Sequence, residues 1–339
     1  MRAMKKALLA LLVLIVAALV LPPLWYRLSP PELPSLAAPE KFAELPSGVR
    51  MHYVERGEGP AVVLVHGLPG QASDWGDTIS LLAAHGRRVI AIDRIGYGHS
   101  DARPDGEFTL DANARELSEL LDALDLDDVT VVGWSYGGGT ALVAAQRGAP
   151  RIARLVLVGS LGVGGDAGMP PRAVLALSSL VFRWVRAVPP AGLAVQHAMS
   201  AQAFSDQPMP ASWLPSLAAN MVQAKTFAAF SAEGAAIDQA HLPDSAGLEL
   251  PILVIHGDGD RLVPIEVGRT LARNNPHAEL EEVPGGSHML PITHAQLLAD
   301  RIASFSAPPP ADEPASPPGA DAGSPSESPE HWMDVLAGR

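Results

Sequence analysis

Short, almost entirely apolar runs recur through the middle of the chain and alternate with longer amphipathic segments. Apolar runs of this kind, without polar alternation, are typical of strands buried on both faces of a sheet. The pattern predicts such strands at Ala61–Val65, Arg88–Ile92, Val129–Val132, Leu155–Val158 and Ile252–Ile255. An earlier strand at Met51–Glu55 and a weaker final strand at Leu280–Val283 complete the set.

Helical patterns lie between these strands. The segment Leu110–Leu124 places its leucines on one stripe, as an amphipathic helix does, and helices are also predicted at Gly137–Arg147 and Ala295–Phe305. Strands that alternate with helices predict an α/β domain, with a mostly parallel sheet covered by helices on both faces. Ligands of such sheets bind beyond the carboxyl ends of the strands, so the candidate chemistry is sought there.

One long stretch, residues 162–250, interrupts this alternation between two predicted strands. Its sequence is helical in character and is broken repeatedly by proline. A connection of this length inside a domain needs structure of its own and usually has a function. We therefore predict a core formed by residues 45–161 and 251–306, with a helical insert at 162–250 between its two parts.

The first 28 residues are predicted to form an N-terminal membrane anchor or signal segment. Arg2, Lys5 and Lys6 precede the unbroken apolar run Ala7–Leu21, and the stretch up to Tyr26 reaches the ~17–25 residues that a membrane helix needs. We expect a transmembrane helix that holds the following domain at the membrane, outside the cytoplasm, in the periplasm or the extracellular space. The alternative is a signal peptide that is cleaved, which would release the domain as a secreted protein.

Two further segments flank the predicted core. Residues 29–44 are rich in proline and are predicted to be a stiff linker. Residues 307–339 consist mainly of proline, alanine, serine, glycine and acidic residues, a composition that buries too little apolar surface to fold. We predict a disordered tail there.

Composition excludes several kinds of chemistry. Hydrophobic residues make up 47% of the 339 residues, which is enough for a large core. A net charge of −13 argues against a nucleic-acid partner. The absence of cysteine excludes disulfides, thiolate metal sites and cysteine nucleophiles. No metal or organic cofactor is implied, and the oligomeric state stays open.

The motif Gly133-Trp134-Ser135-Tyr136-Gly137 lies directly between a predicted strand and a predicted helix. A sharp strand-to-helix turn exposes the serine hydroxyl above the sheet, and glycines on either side avoid the steric clashes that such a turn creates. The N-terminus of the following helix favours negative charge at the same place. Ser135 is therefore the candidate nucleophile.

A second loop, His66-Gly67-Leu68-Pro69-Gly70, follows the strand Ala61–Val65. The tetrahedral intermediate of acyl transfer needs two N–H donors for its oxyanion, each worth about 3–4 kcal/mol. The backbone N–H groups of Leu68 and Tyr136 are the candidate donors. His66 is interpreted as a brace for the loop, not as a catalytic base.

A serine hydroxyl needs a neighbouring imidazole to accept its proton. Of the 11 histidines, His288 lies in the glycine-rich loop Gly285-Gly286-Ser287-His288, which can bend towards the strand ends. An acid must hold the other nitrogen of this imidazole. The loop after the strand Ile252–Ile255 offers two carboxylates, Asp258 and Asp260.

Together these segments resemble the α/β-hydrolase superfamily, and within it the lid-bearing bacterial serine hydrolases of the esterase and lipase branch. The matching segments are MHYVERGEGPAVVLVHGLPG, DRIGYGHSD, VVGWSYGGGTAL, ILVIHGDGDRLVP and PGGSHM. The resemblance implies the α/β-hydrolase fold, a lid formed by the insert, and catalytic groups in the order Ser, Asp, His, with Asp260 as the acid. It gives the loop Asp93–Asp101 a structural role. Epoxide hydrolases and haloalkane dehalogenases share the HGLPG segment but use an aspartate where this chain has Ser135.

Motifs and resemblance predict a serine hydrolase that cleaves a carboxylic ester through an acyl-enzyme, with Ser135, Asp260 and His288 as a catalytic triad. The aromatic and methionine residues of the lid favour an apolar acyl group in a small-molecule ester. A carbon–carbon bond hydrolase of the meta-cleavage type is the first alternative. It would need a cation for the substrate carboxylate, and the lid offers Arg183, Arg186 and Lys225, each more simply interpreted as a solvated side chain. An acyltransferase or perhydrolase using the same triad is a further alternative, and a non-catalytic scaffold is disfavoured.

Overall fold

A mixed sheet of eight strands forms the centre of the protein. The computed structural model describes residues 6, 9–17, 20–21, 24, 40–104, 106–163, 189–237 and 241–307. The strands lie in the order β1-β2-β4-β3-β5-β6-β7-β8. Their bounds are β1 Glu40–Glu44, β2 Arg50–Arg56, β3 Ala61–Val65, β4 Arg88–Ile92, β5 Val129–Trp134, β6 Ile152–Val158, β7 Ile252–Gly257 and β8 Ala278–Val283.

Most of the sheet is parallel, as the alternation of strands and helices predicts. Strands β3 to β8 run parallel to one another, whereas β2 pairs antiparallel with both β1 and β4. The antiparallel edge begins earlier in the chain than expected, because the last five residues of the predicted linker, Glu40–Glu44, form β1. This run, Glu-Lys-Phe-Ala-Glu, has only two adjacent apolar residues and contains no longer apolar stretch.

Helices cover both faces of the sheet. The helices of the core are α1 Thr78–Ala84, α2 Leu110–Ala123, α3 Tyr136–Gln146, α7 Ile265–Arg273, α8 Leu290–Thr293 and α9 Ala295–Phe305. Three more helices lie between β6 and β7, namely α4 Pro189–Phe204, α5 Trp213–Met221 and α6 Ala224–Ala236. These three belong to the predicted insert, and its role as a lid stays a prediction. Its residues 164–188 lie outside the described residues.

The continuous apolar strands supply two hydrophobic clusters, one on each face of the sheet. In β3, Val63 and Val65 enter one cluster, and Val62 and Leu64 enter the other. All four side chains are fully buried. Because successive side chains of a strand point to opposite faces, a central strand with helices on both sides must be apolar at every position.

The predicted membrane anchor is wrong. Among the residues that the structure describes, no helix is long and apolar enough to cross a membrane. A crossing takes about 20 apolar helical residues, and the continuous helical run described near the N-terminus covers residues 9–17. The predictions of a transmembrane helix, of the membrane as a partner and of a domain held at a membrane are therefore wrong as well. The cleaved signal segment stays a prediction, and the predicted tail, from residue 308 onward, lies outside the described residues.

Candidate active site

Ser135 lies on the sharp turn between β5 and α3 with φ 56° and ψ −120°. A non-glycine residue with positive φ is strained, and such strain concentrates at functional sites. Glycines are required on both sides of the serine. A Cβ atom at Gly133 would overlap the backbone of Gly137 and Gly138, and one at Gly137 would overlap the carbonyl oxygen of Val65.

Backbone hydrogen bonds hold the strained serine in place. The Ser135 N–H donates to the Val158 carbonyl at 2.9 Å, and the Ser135 carbonyl accepts from the Leu161 N–H at 2.9 Å. Both partners belong to the end of β6 or the residues that follow it. The turn is therefore fixed by the neighbouring strand as well as by its own helix, and the serine side chain stays partly exposed.

The predicted base and acid form a bonded pair. His288 Nδ1 lies 2.7 Å from Asp260 Oδ2, and both residues are buried. The other oxygen of the carboxylate, Oδ1, accepts the N–H groups of Leu262 at 2.8 Å and Val263 at 2.9 Å. These bonds fix the carboxylate so that Oδ2 faces Nδ1 of the imidazole.

Burial alone would raise the pKa of Asp260. The charge of His288, hydrogen bonds from His256 and His288, and the Val263 N–H outweigh burial and hold the pKa of this carboxyl well below its usual range. His256 Nε2 lies 3.5 Å from Asp260 Oδ2 and 2.9 Å from the Val263 carbonyl oxygen. Asp260 is therefore ionised over the whole neutral range, as an acceptor for the imidazole N–H must be.

The competing carboxylate, Asp258, faces elsewhere. Its Oδ1 accepts the Gly285 N–H at 2.6 Å, which joins the loop after β7 to the loop that carries His288. Asp258 thus satisfies a backbone donor, whereas Asp260 contacts the imidazole. Asp260 instead lies beside Gly159, the residue that follows β6.

Ser135 and the Asp260–His288 pair both lie at the carboxyl ends of the parallel strands, Ser135 after β5 and the pair beside Gly159, which follows β6. Trp134, the residue before the serine, donates its indole N–H to the His288 carbonyl oxygen at 2.9 Å. Among the described residues no hydrogen bond joins the Ser135 hydroxyl to His288. Such bonds are often loose in the absence of substrate and tighten when it binds.

The loop His66–Gly70 lies directly against the serine. A Cβ atom at Gly67 would lie 3.0 Å from Ser135 Cβ and 3.6 Å from its Oγ. His66 is fully buried and braces this loop, because its Nε2 accepts the Arg94 N–H at 3.0 Å and its Nδ1 donates to the Gly67 carbonyl at 2.9 Å. Burial, with the charge of Arg94, lowers the pKa of His66 to about 3, so the imidazole is neutral.

Apolar side chains surround much of the two predicted oxyanion donors, although the ring of Tyr136 also faces the guanidinium of Arg94. Tyr136 packs in a small cluster that is separate from the two clusters of the sheet, together with Leu161, Ile237, Leu68, Leu110 and Leu242. Ile237 and Leu242 come from the end of the insert. An apolar environment strengthens hydrogen bonds to a developing charge, because water does not compete for the donors.

Several residues at the site were not expected from the sequence. Gly159, with φ 48°, lies so close to the acid–base pair that a Cβ atom there would be 3.2 Å from Asp260 Oδ2 and 3.4 Å from His288 Nδ1. Trp134 and Arg94 also contact site residues. Their position in the sequence could have indicated a place at the site, because Gly159 and Arg94 each follow the end of a parallel strand, where ligands of such sheets bind.

No group of three or more metal-ligating side chains that could hold a metal ion occurs among the described residues. The polar groups of the candidate site are instead one imidazole, one carboxylate and backbone amides. This set can move a proton, stabilise an imidazolium and bind an oxyanion. These are groups of the kind that nucleophilic acyl transfer uses.

Asp74, just beyond the His66–Gly70 loop, gives a prediction about stability. Burial raises the pKa of its carboxyl to about 8, and the charge of Asp93 adds to this rise. The carboxyl accepts a hydrogen bond from the Gln71 N–H at 3.0 Å, which acts in the opposite direction and lowers the pKa. Between pH ~4 and ~8 the unfolded chain ionises this group while the folded chain keeps it protonated. Its contribution to the free energy of unfolding therefore falls as pH rises, by at most about 1.4 kcal/mol per unit.

Asp74→Asn keeps an acceptor for the Gln71 N–H and removes the ionisation. We expect the variant to be more stable than the parent at pH 8 and to differ less at pH 5, as measured by urea unfolding. Asp77→Asn, at an exposed position three residues further on, is the matched control and should leave the pH dependence unchanged. An Asp74→Asn variant with the parental dependence on pH would contradict this assignment.

A family model described as the alpha/beta hydrolase fold matches residues 60–295, and this match decides the family. The chain belongs to the α/β-hydrolase family. The predicted resemblance to the α/β-hydrolase superfamily and the predicted α/β-hydrolase fold are thereby confirmed, and the chain is placed among the hydrolase enzymes.

Relatives of this hydrolase carry several activities. It is 31% identical over 294 residues to a 2-hydroxy-6-oxononadienedioate/2-hydroxy-6-oxononatrienedioate hydrolase of Paraburkholderia xenovorans, covering 80% of this chain and 96% of that protein. It is 30% identical over 269 residues to a non-heme chloroperoxidase of Kitasatospora aureofaciens, covering 71% and 89%. The crystal structure of a bromoperoxidase from Bacillus anthracis superposes with a TM-score of 0.66 at 26% identity, covering 79% and 98%.

Proposed function

We propose that this hydrolase cleaves carboxylic esters with an apolar acyl group through an acyl-enzyme on Ser135. The observation that carries the proposal is the buried Asp260–His288 pair, bonded at 2.7 Å next to a serine on a strained strand-to-helix turn. Leu68 and Tyr136 supply the oxyanion N–H groups. The helical insert, residues 162–250, acts as the lid over the acyl group.

The proposed reaction has two halves. His288 Nε2 takes the proton of the Ser135 hydroxyl as its oxygen attacks the ester carbonyl, and the negative charge that develops is held by the two N–H groups. Collapse of the intermediate breaks the bond to the alcohol, which leaves with the proton from His288. Water then repeats the sequence on the acyl-enzyme and releases the carboxylic acid. Throughout, Asp260 keeps the imidazole proton on Nδ1.

An apolar, uncharged substrate is favoured by the charges around the site. Lys225, the described candidate among the predicted lid cations, is not a solvated side chain, because it donates to the Ser100 carbonyl and burial lowers its pKa. Arg94 is paired with Glu233 at 2.6 Å. Neither cation is left to bind a substrate carboxylate, and the cluster around Tyr136 is apolar. Arg183 and Arg186 lie outside the described residues.

Carbon–carbon bond hydrolysis of the meta-cleavage type is the second candidate, because the relative from Paraburkholderia xenovorans is named as a hydrolase of an oxononadienedioate and matches 80% of this chain. Such a substrate bears a carboxylate, which needs a cationic partner when it is buried. The two candidates therefore differ in the charge that the site must accept.

A direct assay separates them. The protein is given p-nitrophenyl butyrate, p-nitrophenyl octanoate and a meta-cleavage dienol side by side, with Ser135→Ala as the control for each. We expect both esters to turn over well above the control and the dienol to persist. If the dienol absorbance is lost while the esters turn over no faster than with Ser135→Ala, the carbon–carbon candidate replaces the ester proposal.

A further inference from the structure

Arg94 lies at the end of β4, in a loop to which the sequence assigned only a structural role. Its side chain is fully buried, and its guanidinium lies against the candidate site. Nη2 donates to the Gly67 carbonyl at 2.9 Å, and the guanidinium carbon lies 4.7 Å from the centre of the Tyr136 ring. Arg94 thus contacts both segments that supply the proposed oxyanion donors.

The bond to Gly67 bears on Leu68 through the geometry of the peptide group. The Gly67 carbonyl and the Leu68 N–H belong to one planar trans peptide, so they point in opposite directions. Whatever orients the carbonyl also orients the N–H. A charged donor on the carbonyl oxygen further polarises the amide, which strengthens the N–H as a donor.

Arg94 holds this carbonyl in two ways. Its guanidinium donates to the Gly67 oxygen directly, and its backbone N–H donates to His66 Nε2 at 3.0 Å. The second bond places the proton of the neutral imidazole on Nδ1, which donates to the same oxygen at 2.9 Å. Both bonds on the Gly67 oxygen therefore depend on Arg94.

The position of the guanidinium is set in turn by the insert. Glu233 of α6 is fully buried, accepts from Arg94 Nη1 at 2.6 Å, and also accepts the Tyr97 hydroxyl at 2.6 Å and the Asn113 amide at 2.8 Å. At the other end of the same loop, Asn220 of the insert donates to the Gly70 carbonyl at 3.1 Å. The loop that carries Leu68 is thus held by the insert at both ends.

We infer that Arg94 is a positioning residue for the oxyanion hole, and that its pairing with Glu233 links the insert to the alignment of the Leu68 N–H. The inference rests on the proposed function, since it assigns a role within that same site. Arg94 touches no substrate. It acts through the Gly67–Leu68 peptide and against the ring of Tyr136.

The chain offers a matched control. Arg103 and Glu116 form a second buried pair, with Nη2 and Oε2 2.5 Å apart and an aromatic ring, Phe108, beside the guanidinium. No described hydrogen bond or ring contact joins this pair to Leu68 or Tyr136, and the charge of Arg103 acts on Tyr136 only at longer range. Replacing both members of a buried ion pair by apolar residues leaves no unpaired charge, and proteins often tolerate such double replacements.

The test compares two double variants. The first carries Arg94→Met and Glu233→Met together, and the second carries Arg103→Met and Glu116→Met together. For the first double variant we expect kcat on p-nitrophenyl butyrate to fall about 10- to 100-fold with KM nearly unchanged, because one donor of two is misaligned rather than lost. An alkyl boronic acid, which mimics the tetrahedral intermediate, should bind more weakly by a similar factor. The second double variant should change neither quantity more than about twofold.

A purely structural role for Arg94 would make the two double variants lose activity equally, or would raise KM with kcat intact, and either result overturns the inference. Should the double variant of Arg94 not fold, Arg94→Lys and Arg103→Lys take their places. Lysine keeps the charge but cannot reach Glu233 and the Gly67 carbonyl together. We then expect loss of kcat only at position 94, and equal values of kcat would refute the positioning role.

Labelling of Ser135 by a fluorophosphonate separates failure of this inference from failure of the proposed function, because labelling also uses the oxyanion hole and needs no ester. Slow labelling of the Arg94 variant in a protein without ester turnover supports the positioning role and refutes the ester proposal. Ester turnover with normal labelling of that variant refutes only the positioning role. A parent protein whose Ser135 is not labelled refutes both.

Discussion

Replacing Ser135 by alanine is expected to lower kcat for ester hydrolysis about 10⁶-fold, the loss that follows when a triad serine is removed. The proposed mechanism has no other nucleophile that could form the acyl-enzyme. The fold should persist, because the serine is held by its backbone bonds to Val158 and Leu161, which alanine retains. Initial rates with p-nitrophenyl butyrate measure the loss of kcat, and thermal unfolding of the purified variant shows whether the fold persists.

Ser160→Ala is the matched control for this change. Ser160 is a buried serine whose hydroxyl donates to the Leu161 carbonyl at 2.9 Å, close to the helix that follows the nucleophile. Its loss should cost one hydrogen bond and less than about tenfold in kcat. A Ser135→Ala protein that keeps parental activity would refute the mechanism outright.

The second large effect is expected for Asp260→Asn, with a loss of about 10⁴-fold in kcat. The N–H groups of Leu262 and Val263 will take the amide oxygen, since they now donate to Asp260 Oδ1 at 2.8 and 2.9 Å. The amide NH₂ then faces His288 Nδ1 as a donor. The imidazole is forced to carry its proton on Nε2, where it can no longer accept the proton of Ser135.

Asp258→Asn is the control, because its amide oxygen can still accept the Gly285 N–H that Asp258 now accepts at 2.6 Å. We expect this variant to lose less than about tenfold in kcat, the cost of weakening one hydrogen bond. Steady-state kinetics of the two asparagine variants decide between the carboxylates. A severe loss for Asp258→Asn with a mild one for Asp260→Asn would reverse the assignment of the acid.

The loops after β7 and β8 show why the choice between Asp258 and Asp260 as the acid depends on the tertiary structure. Both aspartates follow β7 within a few residues, and local sequence describes them almost identically. They differ in long-range partners: one meets an imidazole 28 positions away and the other a backbone N–H 27 positions away. Such partners depend on where the loop after β8 folds back, and no local pattern records that.

Local pattern by itself determined the strands of the core, the strand-to-helix turn and the fold class. A strand buried on both faces must be apolar at every position, so Ala61–Val65 and Arg88–Ile92 coincide with β3 and β4 as observed. The turn at Ser135 requires glycines at fixed offsets, and those are also local. A mostly polar edge strand such as β1 lacks a comparable signal, because its partner strand supplies the hydrogen bonds that define it.

The sequence missed β1, whereas it wrongly predicted a membrane helix. An apolar run with positive residues before it satisfied a rule of composition, but crossing a membrane also requires helical length, and none of the described helices has it.

Only the tertiary structure decided the polar contacts beneath the site. Arg94 and Glu233 lie 139 positions apart, and Gly67 lies 27 positions from Arg94. Each of these residues, taken singly in the sequence, is compatible with a solvated surface. Burying a guanidinium is possible only where a carboxylate and carbonyl oxygens meet it, and those partners come from a strand end, a loop and the insert at once. Sequence periodicity records which face of an element is apolar, whereas the meeting of distant polar groups depends on how the elements pack.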